Sequence, residues 1–159
     1  RVEKGRKPVP NRFAKRNRMA ARLLGIGGLI PFYFCALLTW VETTRVWALD
    51  AVTGYAAVIL AFLGAVHWGR ALAELDRRNH IGTLVFGILP ALIGWLALLL
   101  PVEFSLPMLI TGLVFVWGSE QMVFFEVLPP WYRSLRHCLT AGSVLALVIA
   151  WAAAMMAMF

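Results

Sequence analysis

The chain has 159 residues, of which 61% are hydrophobic and 14% charged, and its mean hydropathy is +0.77. An ordinary soluble domain has roughly 45–50% apolar and about 25% charged residues, so this composition excludes a water-soluble enzyme. The formal net charge of +7 suggests nucleic-acid binding, but nine of the fifteen Lys and Arg precede residue 23. They form a tail rather than a folded basic face with aromatic platforms, so we expect a membrane protein and no nucleic-acid partner.

Residues 1–20 carry charges, prolines and asparagines without apolar periodicity, and we assign them to a basic tail on the cytoplasmic or matrix side. The first apolar stretch is long and has no cleavage signal, unlike a secretory signal peptide. The chain begins with Arg1 rather than Met, which leaves a longer native N-terminus open. Such a tail attracts anionic lipid, at about 1 kcal/mol per basic residue near the surface.

Five stretches approach the roughly 20 apolar residues that cross about 30 Å of hydrocarbon. We place them at 21–40, 51–72, 82–101, 106–128 and 137–159. The connections are short, so consecutive helices should be antiparallel neighbours, and the stretches lack the alternating polarity of β-barrel strands. The sequence therefore predicts an all-α, polytopic bundle of five transmembrane helices over residues 21–159.

Orientation follows from the distribution of Lys and Arg. Fourteen of these residues fall on one side of the predicted bundle, and the other side has only Arg45. Because Lys and Arg are retained on the inner side, the N-terminus is predicted inside and the C-terminus outside.

Small residues recur at four-residue spacing in two of the helices, which favours close approach to a neighbouring helix. These helix-packing residues are Ala57, Ala61, Ala65 and Gly69 in the second helix, and Gly142, Ala146, Ala150 and Ala154 in the fifth. Pro31 and Pro90 lie near the middle of the first and third helices. Each is expected to kink its helix, because proline removes a backbone hydrogen bond.

Ionisable side chains within a bilayer usually face other helices or a cavity. His67 and Arg70 lie in the inner part of the second helix, and Glu120 and Glu126 in the inner half of the fourth. His67 and Glu120 fall at similar depth and could meet. Two interpretations stay open: a polar site that binds a proton, cation or ligand, or a buried cluster that fixes the two helices together, with Glu126 snorkelling or paired with Arg.

The sequence favours no metal site, because His67, His80 and His137 are scattered and lack the spacing of metal ligands. It contains no phosphate-binding loop, nucleophile elbow or catalytic triad pattern, so we assign no catalytic residue and expect no cofactor. A porphyrin held by a single histidine is a minor alternative.

The segment from Leu63 to Arg70, which contains His67-Trp68-Gly69, resembles the signature of a family of uncharacterised small membrane proteins that includes transmembrane protein 69. The run from Leu24-Gly25 to Pro31-Phe32 is similar to that family's first helix. The resemblance covers most of 21–159 and implies a five-helix fold, but it brings no established activity.

We therefore predict a non-enzymatic accessory or assembly subunit of a larger inner-membrane complex, respiratory or photosynthetic, in a bacterial cytoplasmic or mitochondrial inner membrane. Its expected partners are lipid and other integral membrane subunits. The alternative is a small transporter, or a binder of a hydrophobic ligand such as quinone, porphyrin or lipid, using His67, Arg70 and Glu120.

Overall fold

The computed structural model describes residues 12–73, 81–123 and 129–158. Within these ranges the chain is helical and has no strand. The helices are α1 (Arg12–Gly27), α2 (Leu29–Leu38), α3 (Arg45–Ala73), α4 (Ile81–Leu98), α5 (Val102–Val123) and α6 (Pro130–Met156). The described ranges contain five helical segments long and apolar enough to cross a membrane, since α1 and α2 together supply one span over Lys15–Leu38.

The first span is interrupted only at Gly28. The Gly28 N–H still donates to the Leu24 carbonyl at 3.0 Å, so the backbone there remains close to helical. Pro31 follows three residues later and has no N–H to donate to the preceding turn. In contrast, α4 is assigned as one helix through Pro90.

The helix bounds differ from those expected. The first helix starts at Arg12, inside the predicted tail, and α3 starts at Arg45 rather than 51. The start of α6 at Pro130, seven residues before 137, has a clear cause: proline is well tolerated in the first turn of a helix, where its missing N–H is not needed. The predicted tail before residue 12, the inner end of the fourth span at 124–128, and Phe159 lie outside the described residues.

Helix α3 is the centre of the bundle and packs on α2, α4, α5 and α6. Its closest neighbour is α4. A Cβ at Gly64 would overlap the carbonyl of Gly87, and a Cβ at Gly94 would lie 3.0 Å from the carbonyl oxygen of Ala57. The pairs 57–94 and 64–87 thus set an antiparallel register in which the two backbones touch.

The α3 stripe therefore differs from the predicted one. Ala57 is buried and Ala61 half-buried, but Ala65 and Gly69 are exposed, and a Cβ at Gly69 would meet no atom within 4 Å. The reason is helical rotation: a four-residue step turns about 40° too far, whereas a seven-residue step returns to within about 20° of the same direction. Ala57 and Gly64 consequently share the α4 face, and Ala65 and Gly69 rotate out of it.

The small residues of α6 lie inside the bundle. Ala146, Ala150 and Ala154 are buried, and a Cβ at Gly142 would approach the side chain of Leu29 in α2 to 2.9 Å. This stripe tolerates the same rotation because α6 has neighbours on several sides: α2, α3 and α5 all contact it.

The outer surface of the bundle is apolar. Large side chains such as Leu24, Val46 and Met122 are among those exposed, with Met122 at 88%. The buried core is apolar as well, with large side chains such as Leu60, Leu109 and Leu147 packed among alanines. An apolar surface around an apolar core is what lipid as a solvent permits.

Candidate functional site: a buried charge cluster beside an apolar groove

Glu120 of α5 is the centre of a buried polar cluster, with 2% of its surface exposed. Its Oε1 lies 3.2 Å from Nε2 of His67 in α3, and its Oε2 accepts a hydrogen bond of 2.7 Å from Nε of Arg136 in α6. Because a carboxylate paired with arginine is ionised and only accepts, Nε2 of His67 is the donor in the first contact. One carboxylate thus joins three transmembrane helices.

The fourth neighbouring helix adds an aromatic contact. Phe86 of α4 meets the His67 ring edge to face, with 5.2 Å between the ring centroids, and in turn packs near Phe115 of α5. His67 is 1% exposed, so its ring is enclosed by protein rather than by lipid or water. The cluster is therefore a fixed junction of α3, α4, α5 and α6.

The structure brings together some of the predicted polar residues and adds one. His67 and Glu120 are in direct contact, whereas Arg70 lies half-buried one turn away on α3. Glu126, His80, Arg77 and Arg78 lie outside the described residues. Arg136, assigned from sequence only to the positive side of the membrane, is instead 4% exposed and pairs with Glu120.

Arg136 was missed because the last helix was expected to begin at 137. The signal was present: Pro129-Pro130 is a typical helix start, and a helix from there carries its buried face through Arg136, Thr140 and Ser143 at helical spacing. A second missed contact joins α5 to α6, where Nε1 of Trp117 donates to Nδ1 of His137 at 2.8 Å.

Beside the cluster, an apolar groove of about 650 Å³ opens between the first span, α3 and α6. We call it the lateral groove. Its walls are mostly aliphatic and aromatic side chains, among them Leu24, Leu29, Phe32, Ile59, Phe62, Leu63, Val66, Leu135 and Leu139. Polar groups are few: Arg70, Tyr132, Arg136, Thr140 and Ser143 also line it.

The two arginines lie toward one end of the lateral groove, which we call the basic end of the bundle. There α3 approaches its last described residue and α6 begins, and the guanidinium of Arg18 lies 5.9 Å from the ring of Trp131. At the opposite end of the bundle, Nε of Arg45 donates to the carbonyl of Thr39 at 3.1 Å. Arg45 therefore caps the C-terminal end of α2.

The described ranges hold no group of three or more His, Cys, Asp or Glu side chains placed to bind a metal ion. The site consists of an apolar groove that ends at the guanidinium groups of Arg70 and Arg136. The carboxylate of Glu120 is already paired with Arg136. A slot of this volume lies within the range of about 300–1,000 Å³ typical of ligand pockets.

Fold and site together define a polytopic, all-helical membrane protein with a buried carboxylate junction and a lateral groove. Residues 17–152 match the family described as a protein of unknown function, DUF3429, and the chain belongs to that family. It is also similar to Transmembrane protein 69 of Xenopus tropicalis, with 34% identity over 134 residues, which are 80% of this chain. The match covers 52% of that relative, so the chain spans about half of its length. No solved structure matches the chain.

Proposed function

We propose that this chain is a non-enzymatic membrane protein whose lateral groove holds a hydrophobic ligand of the bilayer. The observation that carries the proposal is the groove itself, about 650 Å³ in volume, apolar along its walls and polar toward one end. Ligand pockets in proteins have this combination of a mostly apolar lining with a few placed polar groups.

Ligand binding is favoured over proton or ion transport because the candidate carboxylate is already engaged. Both oxygens of Glu120 have partners, on His67 and Arg136, and the side chain is shielded from solvent. A proton or cation that binds Glu120 would have to displace one of these partners, and breaking a buried pair is costly. The cluster thus supports the wall of the lateral groove, because Arg136 belongs to both.

Two matched variants, each replacing an alanine by phenylalanine, test the groove. Ala21 is half-buried and lines the groove, whereas Ala65 is exposed on another face of the bundle. Ala21→Phe should fill the groove and reduce the hydrophobic molecules that co-purify with the protein, as measured by native mass spectrometry after detergent extraction. Ala65→Phe should retain them. Equal retention by both variants, or nothing retained by the unsubstituted chain, would contradict the proposal.

A second candidate function is an accessory or assembly subunit of a larger respiratory or photosynthetic complex. The specific observation in its favour is that Ala65 and Gly69 are exposed small residues on α3, one turn apart, and a Cβ at Gly69 has open space. Small residues permit close approach of a partner helix in lipid. Here Ala65→Phe should release the chain from a larger assembly on native gels of solubilised membranes, and Ala21→Phe should not.

We place the basic end of the bundle in the cytoplasm or matrix, and the protein in a bacterial cytoplasmic or mitochondrial inner membrane. The support is the concentration of Lys and Arg at that end. With Cys35→Ala and Cys138→Ala as background, a membrane-impermeant maleimide should label Thr43→Cys from outside intact spheroplasts and Arg16→Cys only after lysis. The reverse pattern would invert the orientation.

A further inference from the structure

The basic end of the lateral groove contains a buried donor that has no acceptor in the part of the chain that the structure describes. Arg136 uses Nε on Glu120, but its Nη2 has no hydrogen-bond partner among the described residues, and the residue is 4% exposed. Leaving a buried charged donor unsatisfied is costly, and a guanidinium offers donors in a planar fork suited to oxyanions. Arg136 lines the groove, so an acceptor that enters the groove would lie next to this residue.

The charge of the lining selects the kind of acceptor. Arg136 and Arg70 are both in the wall, and the described lining residues include no carboxylate. Arg18, which lies over Trp131, adds a third cation near the same end. Guanidinium groups in a medium of low dielectric attract a phosphate more strongly than they attract a neutral carbonyl.

The shape of the groove selects the remainder of the ligand. The lining extends from residue 131 to 143 along α6 and from 59 to 70 along α3. At 1.5 Å per helical residue these stretches are about 16–18 Å long. This is close to half of the roughly 30 Å hydrocarbon core, the depth of one leaflet. A groove of that length matches one extended acyl chain of a single leaflet.

Resting on the proposed function of the groove, we infer that its ligand is an anionic phospholipid of the leaflet at the basic end. The phosphate accepts hydrogen bonds from the guanidinium groups of Arg136 and Arg70, which both line the groove. One acyl chain lies along Leu135 and Leu139, toward Leu29. The Glu120 junction is then a positioning device, because it holds Nε of Arg136 while the residue remains part of the groove wall.

The test uses the full chain in a mild nonionic detergent, with phosphatidylglycerol or phosphatidylcholine of identical acyl chains added in turn. Native mass spectrometry measures how much of each lipid stays bound. We expect phosphatidylglycerol to be retained roughly tenfold better. Both lipids carry the phosphate, but the choline cation of phosphatidylcholine cancels its charge and is repelled by Arg70 and Arg136. Arg136→Lys should bring the two lipids to within about threefold, since one ammonium cannot serve both Glu120 and a phosphate.

Two further variants keep the test decisive. Arg70→Gln weakens the preference without touching the Glu120 pair, so it serves if Arg136→Lys does not fold. Arg133→Gln removes the same charge from the same helix outside the lining, and it should leave the preference unchanged.

The outcomes separate this inference from the proposed function. Retention of both lipids to the same extent, or preferential retention of a quinone or a free fatty acid, would overturn the phospholipid assignment and leave a ligand-binding groove. An unchanged preference in both Arg136→Lys and Arg70→Gln would overturn it too. Retention that Ala21→Phe does not reduce would overturn the groove and the inference together.

Discussion

Helix α3 has two interfaces built on opposite principles. Toward α4 its backbone touches the neighbouring backbone, at Gly64 on Gly87 and Ala57 on Gly94, and nothing separates the helices. Toward the first span and α6 it also makes contacts, but the lateral groove opens along part of this side. The ion pair of Glu120 with Arg136 connects α5 to α6 beside the groove. One side has no room for a ligand, and the other is kept open.

The comparison indicates that the tight α3–α4 interface stabilises the bundle, whereas the side of α3 that borders the lateral groove leaves space for a ligand. In lipid, hydrophobicity does not bring helices together, so close packing of small residues must do so. That packing closes every space it reaches. A groove survives only where another force holds the helices in place, and a buried, hydrogen-bonded charge junction can fix positions without filling the volume beside it.

The largest effect is expected when the charge junction is broken. Glu120→Gln leaves Arg136 buried without its counter-ion, which should cost about 3–5 kcal/mol of stability. The drop in melting temperature in detergent would measure it. Glu120→Gln combined with Arg136→Gln removes both charges and should cost less than the two single changes added together. Strict additivity would mean that the pair does not act as a unit.

A smaller loss is expected at the tight interface. Gly64→Ala places a methyl group against the Gly87 backbone and should destabilise the protein by about 1–3 kcal/mol, the usual cost of overpacking. Gly69→Ala, on the same helix but in open space, is the control and should be neutral or slightly stabilising. Similar losses in both variants would argue against backbone contact at position 64.

The two faces of α3 can also be separated by function. At a temperature where both variants remain folded, Gly64→Ala should retain lipid in the lateral groove, because it changes only the α4 side. Glu120→Gln should lose most of the preference for phosphatidylglycerol, because Arg136 is no longer oriented. Lipid content by native mass spectrometry checks both, and loss in the Gly64→Ala variant would link the two faces in a way the contacts do not indicate.

The smallest effect is expected away from α3. Trp117→Phe removes the hydrogen bond to His137 between α5 and α6, which is worth about 1 kcal/mol. The melting temperature should fall slightly and lipid retention should not change. If Trp117→Phe lowered the melting temperature more than Gly64→Ala does, the α5–α6 interface would contribute more to the stability of the bundle than the α3–α4 interface.

Much of the fold could be read from the chain in isolation. The number of spans and their approximate positions follow from apolar stretches, because the thickness of a bilayer sets a length that each crossing helix must satisfy locally. The depth of side chains in the membrane could also be predicted. His67 and Glu120 were expected at similar depth, and the structure places them in contact. Family membership agreed with the His67-Trp68-Gly69 segment.

Rotation about the helix axes could not be read in the same way. The stripe from Ala57 to Gly69 has the spacing of a packing face, but only its first residue is buried, while Gly64 makes the closest approach. Which way a membrane helix faces depends on its neighbours, since lipid accepts an apolar side in any direction. Hydropathy therefore carries little information about that angle.

The sequence by itself determined that this chain crosses a membrane and where most of its spans lie, since length and apolarity are properties of one helix at a time. Only the tertiary structure decided that Arg136 turns inward to Glu120 and that a groove remains beside it. Both depend on three helices meeting at one depth and one rotation, and no single stretch of residues encodes that meeting.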